Sequence, residues 1–539
     1  MTNLNFFSFT MKIIIFLLTI FIGLSHCKQD NPFFTSLKAI CDNTLHPNTC
    51  YDSLFPLIDS NQNTYDPHFL YNISIQVAIN EISRVHSNFT KILENIDKNT
   101  YLSSALESCR DFMSLALYNL NRSLPISGRD LTIRETRTNF RVWISGAGAD
   151  LQTCKDDFKY TPNEVFDLVV SKLDKATKLV TISLAIISKI DQLMISSPEN
   201  RLDDHFQSDW EPDWLSFEEW KILDTSNEAM TPDAVVAADG SGNYKTITEA
   251  IKAVPLSSDK RFVIYVKKGV YKENVKVDRR TLNVLMYGDG MSETIVTGNR
   301  SNKTGSRTSF SSTFAAYGDG FIAKDIGFQN TAGPQNGQAV ALFSGSDRSV
   351  FYRCQFEGYQ DTLFTQKHRQ FYRDCKIYGT VDFIFGEAAV VIQNSDILVR
   401  KPLGPAAVIT GQGKWDPNSV SGISIQNCSI DAAEDLGDVK AFLGRPWKDY
   451  STVVVMQSKL GSLIDPKGWA PWRDGVTLPD TVLYAEYKNV GPGSETSSRA
   501  SWKGLFIDDA QTVSNFTVTS FIGGDQWIPA TGVPFQAGL

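Results

Sequence analysis

Asp361 and Asp382 stand 21 residues apart, and the same offset separates Cys354 from Cys375 and Phe356 from Ile377. The acids sit in two short stretches, Tyr359-Gln360-Asp361-Thr362-Leu363 and Gly379-Thr380-Val381-Asp382-Phe383-Ile384-Phe385-Gly386. A recurrence of this length between short apolar alternations suits the coil of a parallel solenoid. Consecutive coils stack about 4.8 Å apart. That spacing predicts a Cys354–Cys375 disulfide, because it falls inside the roughly 4.4–6.8 Å Cα window such a bond needs. It also makes neighbours of the two carboxylates. A close carboxylate pair does not readily ionise twice, so one member keeps a proton while the other serves as the anion. An acid and a nucleophile at one pH is the chemistry this implies. Two rivals stand beside it: an isolated Asp in such a coil commonly caps a turn, and retaining glycosidases also use two carboxyl groups about 5–5.5 Å apart.

Other catalytic classes find little support. From Asp233 onward the only histidine is His368, between Lys367 and Arg369, where an exposed turn is expected. No Gly-x-Ser-x-Gly is present, which argues against a serine hydrolase with a His base. No Cys/His cluster has zinc spacing, so the expected mechanism uses carboxylates with neither metal nor cofactor. The chain of 539 residues has a formal charge of −8. From Asp233 onward there are 32 Lys and Arg against 31 Asp and Glu, and before it 20 against 29. Neither part has the basic excess of a nucleic-acid binder.

The elements that must position the pair occupy the second half of the chain. Lys12, the apolar run Ile13–Leu24 and the small residues after it read as a signal peptide, 1–27, too short for a comfortable membrane span. A helical region follows over 28–196. Leu102, Ala105, Leu106, Cys109, Phe112, Met113, Ala116, Leu117 and Leu120 recur at three- and four-residue steps, and Val165–Ile195 does likewise. Thr132–Ala149 is a weaker helix, ending in Gly146-Ala147-Gly148. Short connections between such helices predict an up-and-down four-helix bundle. Cys41 and Cys50 bracket a short polar loop, and Cys109 lies on an apolar helix face, where either a bridge to Cys154 or two buried thiols is possible. An acidic segment with Pro198, Pro212 and Pro232 reads as a linker over 197–232. From 233 to 539, Gly-punctuated β-type runs predict an all-β domain. Stacked coils account for the recurrence better than an antiparallel sandwich. Seven cysteines outside the signal segment leave one unpaired, for which Cys428 is the candidate. Seven Asn-x-Ser/Thr sites, at Asn72, Asn88, Asn121, Asn299, Asn302, Asn427 and Asn515, fit a secreted glycoprotein.

Five motifs in order resemble the plant pectin methylesterases that carry an N-terminal inhibitor-like region. They are Gly269-Val270-Tyr271-Lys272-Glu273, Gln338-Ala339-Val340-Ala341-Leu342, the two aspartate stretches, and Leu443-Gly444-Arg445-Pro446-Trp447. The resemblance implies a right-handed parallel β-helix, bridges Cys41–Cys50 and Cys109–Cys154, and removal of methyl esters from homogalacturonan. It makes Asp382 the nucleophile, Asp361 the proton donor and later general base, and Gln338 and Gln360 the oxyanion stabilisers. Arg445 would orient Asp382 and keep it ionised, and Trp447 would offer an apolar face to a sugar ring. Trp447, Gln338 and Arg445 would contact substrate. Further implications are methyl-esterified pectin and a proteinaceous pectinesterase inhibitor as partners, and secretion to the cell wall. One departure stands out: where relatives carry a basic processing site, this chain reads Glu218-Glu219-Trp220-Lys221-Ile222-Leu223. Cleavage there is expected to be inefficient, or to fall elsewhere in the linker. The remaining rival is a β-helix that binds pectin without catalysis, with the bundle as an inhibitor module.

Overall fold

The computed structural model describes residues 32–58, 67–96, 101–125, 131–159, 161–196 and 231–539 apart from 474 and 477. The expected signal segment and the departure at Lys221 lie outside the described residues, as does most of the expected linker. The helices are α1 (Pro32–Asp42), α2 (Pro47–Leu54), α3 (Pro67–Leu93), α4 (Tyr101–Arg122), α5 (Arg134–Asp156) and α6 (Asn163–Ser196). The four long ones form the bundle. In α4 the residues at three- and four-residue spacing, from Ala105 through Leu120, are buried. Cys41 bonds Cys50, joining α1 to α2, and Cys109 bonds Cys154, joining α4 to α5.

The weak periodicity of α5 has a physical cause. From Ile144 to Leu151 every residue is buried, because one side packs in the bundle and the other against the β-domain. A helix covered all round has no solvent face to write an amphipathic stripe.

From Ala234 onward the chain winds into a right-handed coil of three parallel sheets, of 11, 7 and 8 strands. The seven-stranded sheet matters most for the site. In chain order its strands are β1 (Val275–Val277), β2 (Phe314–Ala316), β3 (Leu342–Ser344), β4 (Leu363–Thr365), β5 (Val381–Gly386), β6 (Ala406–Gln412) and β7 (Lys440–Gly444), each paired with the next. Strands this short need sharp corners. At one corner Asp325, Arg353, Asp374, Asn394, Asn427 and Gln457 all adopt positive φ, between 50° and 58°. Asn and Asp tolerate this left-handed region better than most residues, which helps explain their recurrence at coil spacing.

The 21-residue offset is a true register: Gln355 pairs with Lys376, Phe356 with Ile377, and Leu363 with Ile384. The predicted Cys354–Cys375 disulfide, however, is not formed; both are buried thiols, as is Cys428. In-register stacking supplies proximity and also the obstacle. Stacked parallel strands hold neighbouring side chains side by side at the strand spacing, whereas a disulfide wants its two Cβ atoms about 3.8 Å apart and converging. Each sulfur turns instead to main-chain carbonyls, Cys354 to Ala323 and Cys375 to Phe351 at 3.5 and 3.3 Å.

His368 also departs from expectation. It is buried rather than in an exposed turn, because the bundle covers it. Arg122 of α4 donates to its Nε2 at 3.3 Å, and its Nδ1 donates to the Gly345 carbonyl at 3.0 Å. Burial, reinforced by the charges of Arg122 and Lys367, holds the imidazole well below its ordinary pKa.

Candidate active site

Side chains alternate along the seven-stranded sheet. Phe314, Leu342, Leu363 and Ile384 point into the coil core, while Ala315, Phe343, Phe364 and Phe385 share one register row on the outer face. Phe343 and Phe364 rings lie 5.0 Å apart and Phe364 and Phe385 4.3 Å apart, and Trp447 continues the row 6.1 Å from Phe385. Two coil turns deliver the acids to this floor. Asp361 has φ +62° just before β4, and Asp382 has φ +48° within β5. A non-glycine residue in this region is held at a cost of order 1–3 kcal/mol, and such residues cluster at functional sites. The ladder between β5 and β6 shifts register between Val381 and Ile384, and a bulge of this kind re-aims a side chain. Gly411 on β6 makes room for the result, since a Cβ there would meet the Asp382 Cβ at 3.1 Å and Cγ at 3.2 Å.

Asp382 accepts two parallel bonds from Arg445, Nε to Oδ1 at 2.8 Å and Nη2 to Oδ2 at 2.6 Å. The guanidinium lies 4.5 Å from the Trp472 ring centroid. Gln338, Gln360, Asp361, Asp382, Arg445 and Trp447 all line one cavity of about 190 Å³. Every residue expected at the site from the sequence is therefore brought together. The two carboxyls differ electrostatically. Burial, and then the charge of Asp382, raises Asp361 well above the carboxylate range. Burial raises Asp382 as well, but the bonds and charge of Arg445 oppose it. Asp361 is thus the more strongly raised of the two, and at Asp382 the guanidinium works against the rise.

The sequence reading did not find everything in this cavity. Phe364 and Phe385 repeat at the same 21-residue offset as the acids, so their signal was present. Trp472 carried none. Nor did Thr153, Asp156, Asp157 and Lys159, which form one wall of the cavity from the end of α5 and the turn beyond it. Asp157 accepts from Ser108 of α4 and, at 2.8 Å, from Ser309 of the β-domain. Lys448, next to Trp447, donates to Asp156 at 2.9 and 3.0 Å. Further along α5, Lys367 donates to both oxygens of Asp150 at 2.5 and 2.6 Å, with both side chains buried. Gly146 and Gly148 fit against His368 and Trp415, and a Cβ on Gly148 would lie 1.8 Å from the Trp415 ring.

The comparisons with known proteins agree with this arrangement. Residues 233–525 match the family described as Pectinesterase, and residues 35–186 the family described as Plant invertase/pectin methylesterase inhibitor. Pectinesterase 3 of Phaseolus vulgaris is 44% identical over 515 residues, covering 94% of this chain and 87% of that protein. The chain belongs to the pectinesterase family. Pectinesterase 2 of Citrus sinensis is 42% identical over 510 residues, covering 93% of this chain and 95% of its own. Among solved structures, the pectin methylesterase from carrot is 50% identical with a TM-score of 0.56, covering 57% of this chain and 99% of that one. The β-helix and the inhibitor-like helical region expected from the motifs are thus both present in one chain.

Proposed function

We propose that the chain hydrolyses the methyl esters of homogalacturonan, releasing methanol and leaving free carboxylates. The observation that carries this reading is that Asp361 and an Arg445-bound Asp382 line one cavity together with two amide side chains. Asp382 Oδ attacks the ester carbonyl. Gln338 and Gln360 donate N–H groups to the oxyanion, a role that needs no change of charge. Asp361 gives its proton to the departing methoxide, so methanol leaves and an anhydride joins the substrate to Asp382. Asp361, now ionised, takes a proton from water as the hydroxide adds to the substrate carbonyl. Collapse frees the sugar acid and regenerates both side chains. Trp447 and the phenylalanine row give the sugar rings an apolar floor, and Arg445 holds Asp382 in line.

The bundle contributes a wall to the same cavity, which supports reading the N-terminal region as an inhibitor of its own β-helix. We take 1–27 as a signal segment, 28–196 as the inhibitor-like region, 197–232 as the linker and 233–539 as the catalytic domain, secreted to the cell wall. Among the described residues no helix is long and apolar enough to cross a membrane. Six of the seven Asn-x-Ser/Thr asparagines are exposed and Asn302 is half-buried.

The test measures methanol and new reducing ends in parallel from highly methylated pectin, for the full chain and for its Asp382→Asn variant. Methanol without new ends, lost in the variant, is expected. New reducing ends would assign the carboxylates to glycoside cleavage, and methanol undiminished in the variant would remove Asp382 from the nucleophile's place.

A further inference from the structure

The turns that carry the two acids are entered from strands of the eight-stranded sheet. Gln355–Glu357 leads through Gly358, Tyr359 and Gln360 to Asp361, and Lys376–Gly379 leads through Thr380 to Asp382 on β5. Asp396–Val399, in the next coil, ends at Arg400. The three strands stack in register, Glu357 on Tyr378 and Tyr378 on Leu398. The acid-bearing turns also hold each other. Asp361 N–H donates to the Val381 carbonyl at 3.1 Å and Thr380 N–H to the Tyr359 carbonyl at 2.9 Å, while the Gln360 carbonyl accepts from Ala339 N–H, beside Gln338, at 3.2 Å.

Arg400 reaches across this corner. Its backbone N–H donates to the Gly379 carbonyl at 2.8 Å, which anchors it to the coil of Asp382. Its side chain then extends to the coil of Asp361, two coil spacings or about 9.6 Å back. There Nη1 donates to the Gly358 carbonyl at 3.0 Å and Nη2 to Glu357 Oε2 at 3.3 Å. The guanidinium lies 5.0 Å from the Tyr359 ring and 5.2 Å from that of Tyr378. The receiving carboxylate is fixed in turn, because Gln329 of the preceding coil donates to the same Glu357 oxygen at 3.0 Å. One side chain thus ties three successive coils together at the corner where both acids emerge, yet Arg400 does not itself line the catalytic cavity. Asp361 and Asp382 both hold positive φ, and residues in that region persist only where their surroundings over-determine them. Arg400 supplies such a constraint from outside the cavity.

We propose that Arg400 is a positioning residue for the ester reaction: by stapling the turn from Gly358 to Gln360 onto the coil of Asp382, it sets the gap between the two carboxyls and the aim of the Gln360 amide. The inference rests on the esterase reading and names a residue that serves it without touching substrate. Attack, oxyanion stabilisation and protonation of the leaving oxygen share one site only while these three groups keep their spacing, and a misplacement of about 1 Å can cost about 10²-fold in rate. Substrate binding draws instead on Trp447 and the phenylalanine row, which Arg400 does not hold. Loss of the staple therefore falls on kcat and spares KM.

The test compares methanol release from highly methylated pectin by the full chain and by its Arg400→Gln, Arg400→Lys and Arg353→Gln variants, with the thermal midpoint of each. Arg353 is a matched control: it donates through Nε and Nη2 to both oxygens of Asp325 one coil back, each at 2.6 Å, at a corner that holds neither acid. Arg400→Gln is expected to lower kcat about 10-fold or more while KM stays within about 2-fold. Arg400→Lys, which can keep one of the two bonds, should recover part of that loss. Arg353→Gln should lower the thermal midpoint without a matching fall in kcat. Should Arg400→Gln not fold, Arg400→Lys decides in its place, with a lower kcat at unchanged KM expected. A kcat retained in the folded variant, a rise in KM in place of the fall in kcat, or an equal fall in Arg353→Gln would overturn the proposal. Absent methanol release by the unsubstituted chain, measured first, is the failure of the esterase reading itself and takes this inference with it.

Discussion

Arg445 meets Asp382 as a planar fork on a planar acceptor, and lysine cannot reproduce both bonds at once. Losing one charge-assisted bond costs about 1.5–3 kcal/mol, so Arg445→Lys is expected to lower kcat by about 10- to 100-fold. With less opposition to burial, the Asp382 pKa rises further, and the acid limb of the pH–rate profile should move to higher pH. A stopped assay across pH checks both effects. Asp361→Asn removes the proposed proton donor and is expected to cost about 10²–10⁴-fold in methanol release, with the fold retained by circular dichroism. The acids were legible because two residues of one type shared an offset with a second pair, Cys354 and Cys375. The same offset misled on the cysteines, since register fixes which residues are adjacent and says nothing about whether their Cβ vectors converge. Thiol titration settles that point. A mature chain beginning at residue 28 should yield three reactive thiols when denatured and none when native.

At the scale of elements, β6 is shaped around its neighbour. Alanine at 411 would press a methyl group on Asp382, and the bulged turn that carries the acid is the part able to yield. Misplacing a nucleophile by a fraction of an ångström is expensive in rate. Gly411→Ala is therefore expected to reduce kcat about 10-fold or more while shifting the thermal midpoint little, a split that kinetics and calorimetry on the same preparation would show. The strands and corners were readable from the sequence because each coil repeats the same demands. Helix α5 was only half readable, for the opposite reason: its pattern answers two unlike neighbours at once, and one of them lies some 200 residues away in the sequence.

Across the whole molecule, bundle and cleft are joined through buried groups that titrate. Asp157 is pushed up from 3.8 to about 7, first by burial and against the bonds from Ser108 and Ser309, with the charge of Asp156 beside it adding to the rise. Lys159 lines the same cavity, and Lys448 faces Asp156. Because the β-domain, through Ser309, shares in covering the Asp157 carboxyl, separating the two returns it toward water and weakens its hold on the proton. Its contribution to docking is greatest at low pH and declines as pH rises through about 7. Hydrogen exchange in α5 should accelerate over this range. Asp157→Asn should flatten the dependence, because both serines donate to one oxygen, which an amide still offers. Gly148→Val gives an independent handle: its side chain would collide with Trp415, and the full chain is expected to release methanol several-fold faster if the bundle is what restrains it.

One consequence belongs to populations of molecules. Because the wall of the cavity and its floor are parts of one polypeptide, the restraint proposed for the bundle would not depend on how many molecules are present, and dilution would leave it untouched. The cleft experiences its bundle at an effective concentration that the covalent connection imposes, whatever the concentration of protein. Cutting the chain between the two would convert a fixed property of each molecule into a bimolecular equilibrium. The partner could then diffuse away, and the volume into which the protein is released would itself set how much of it is active.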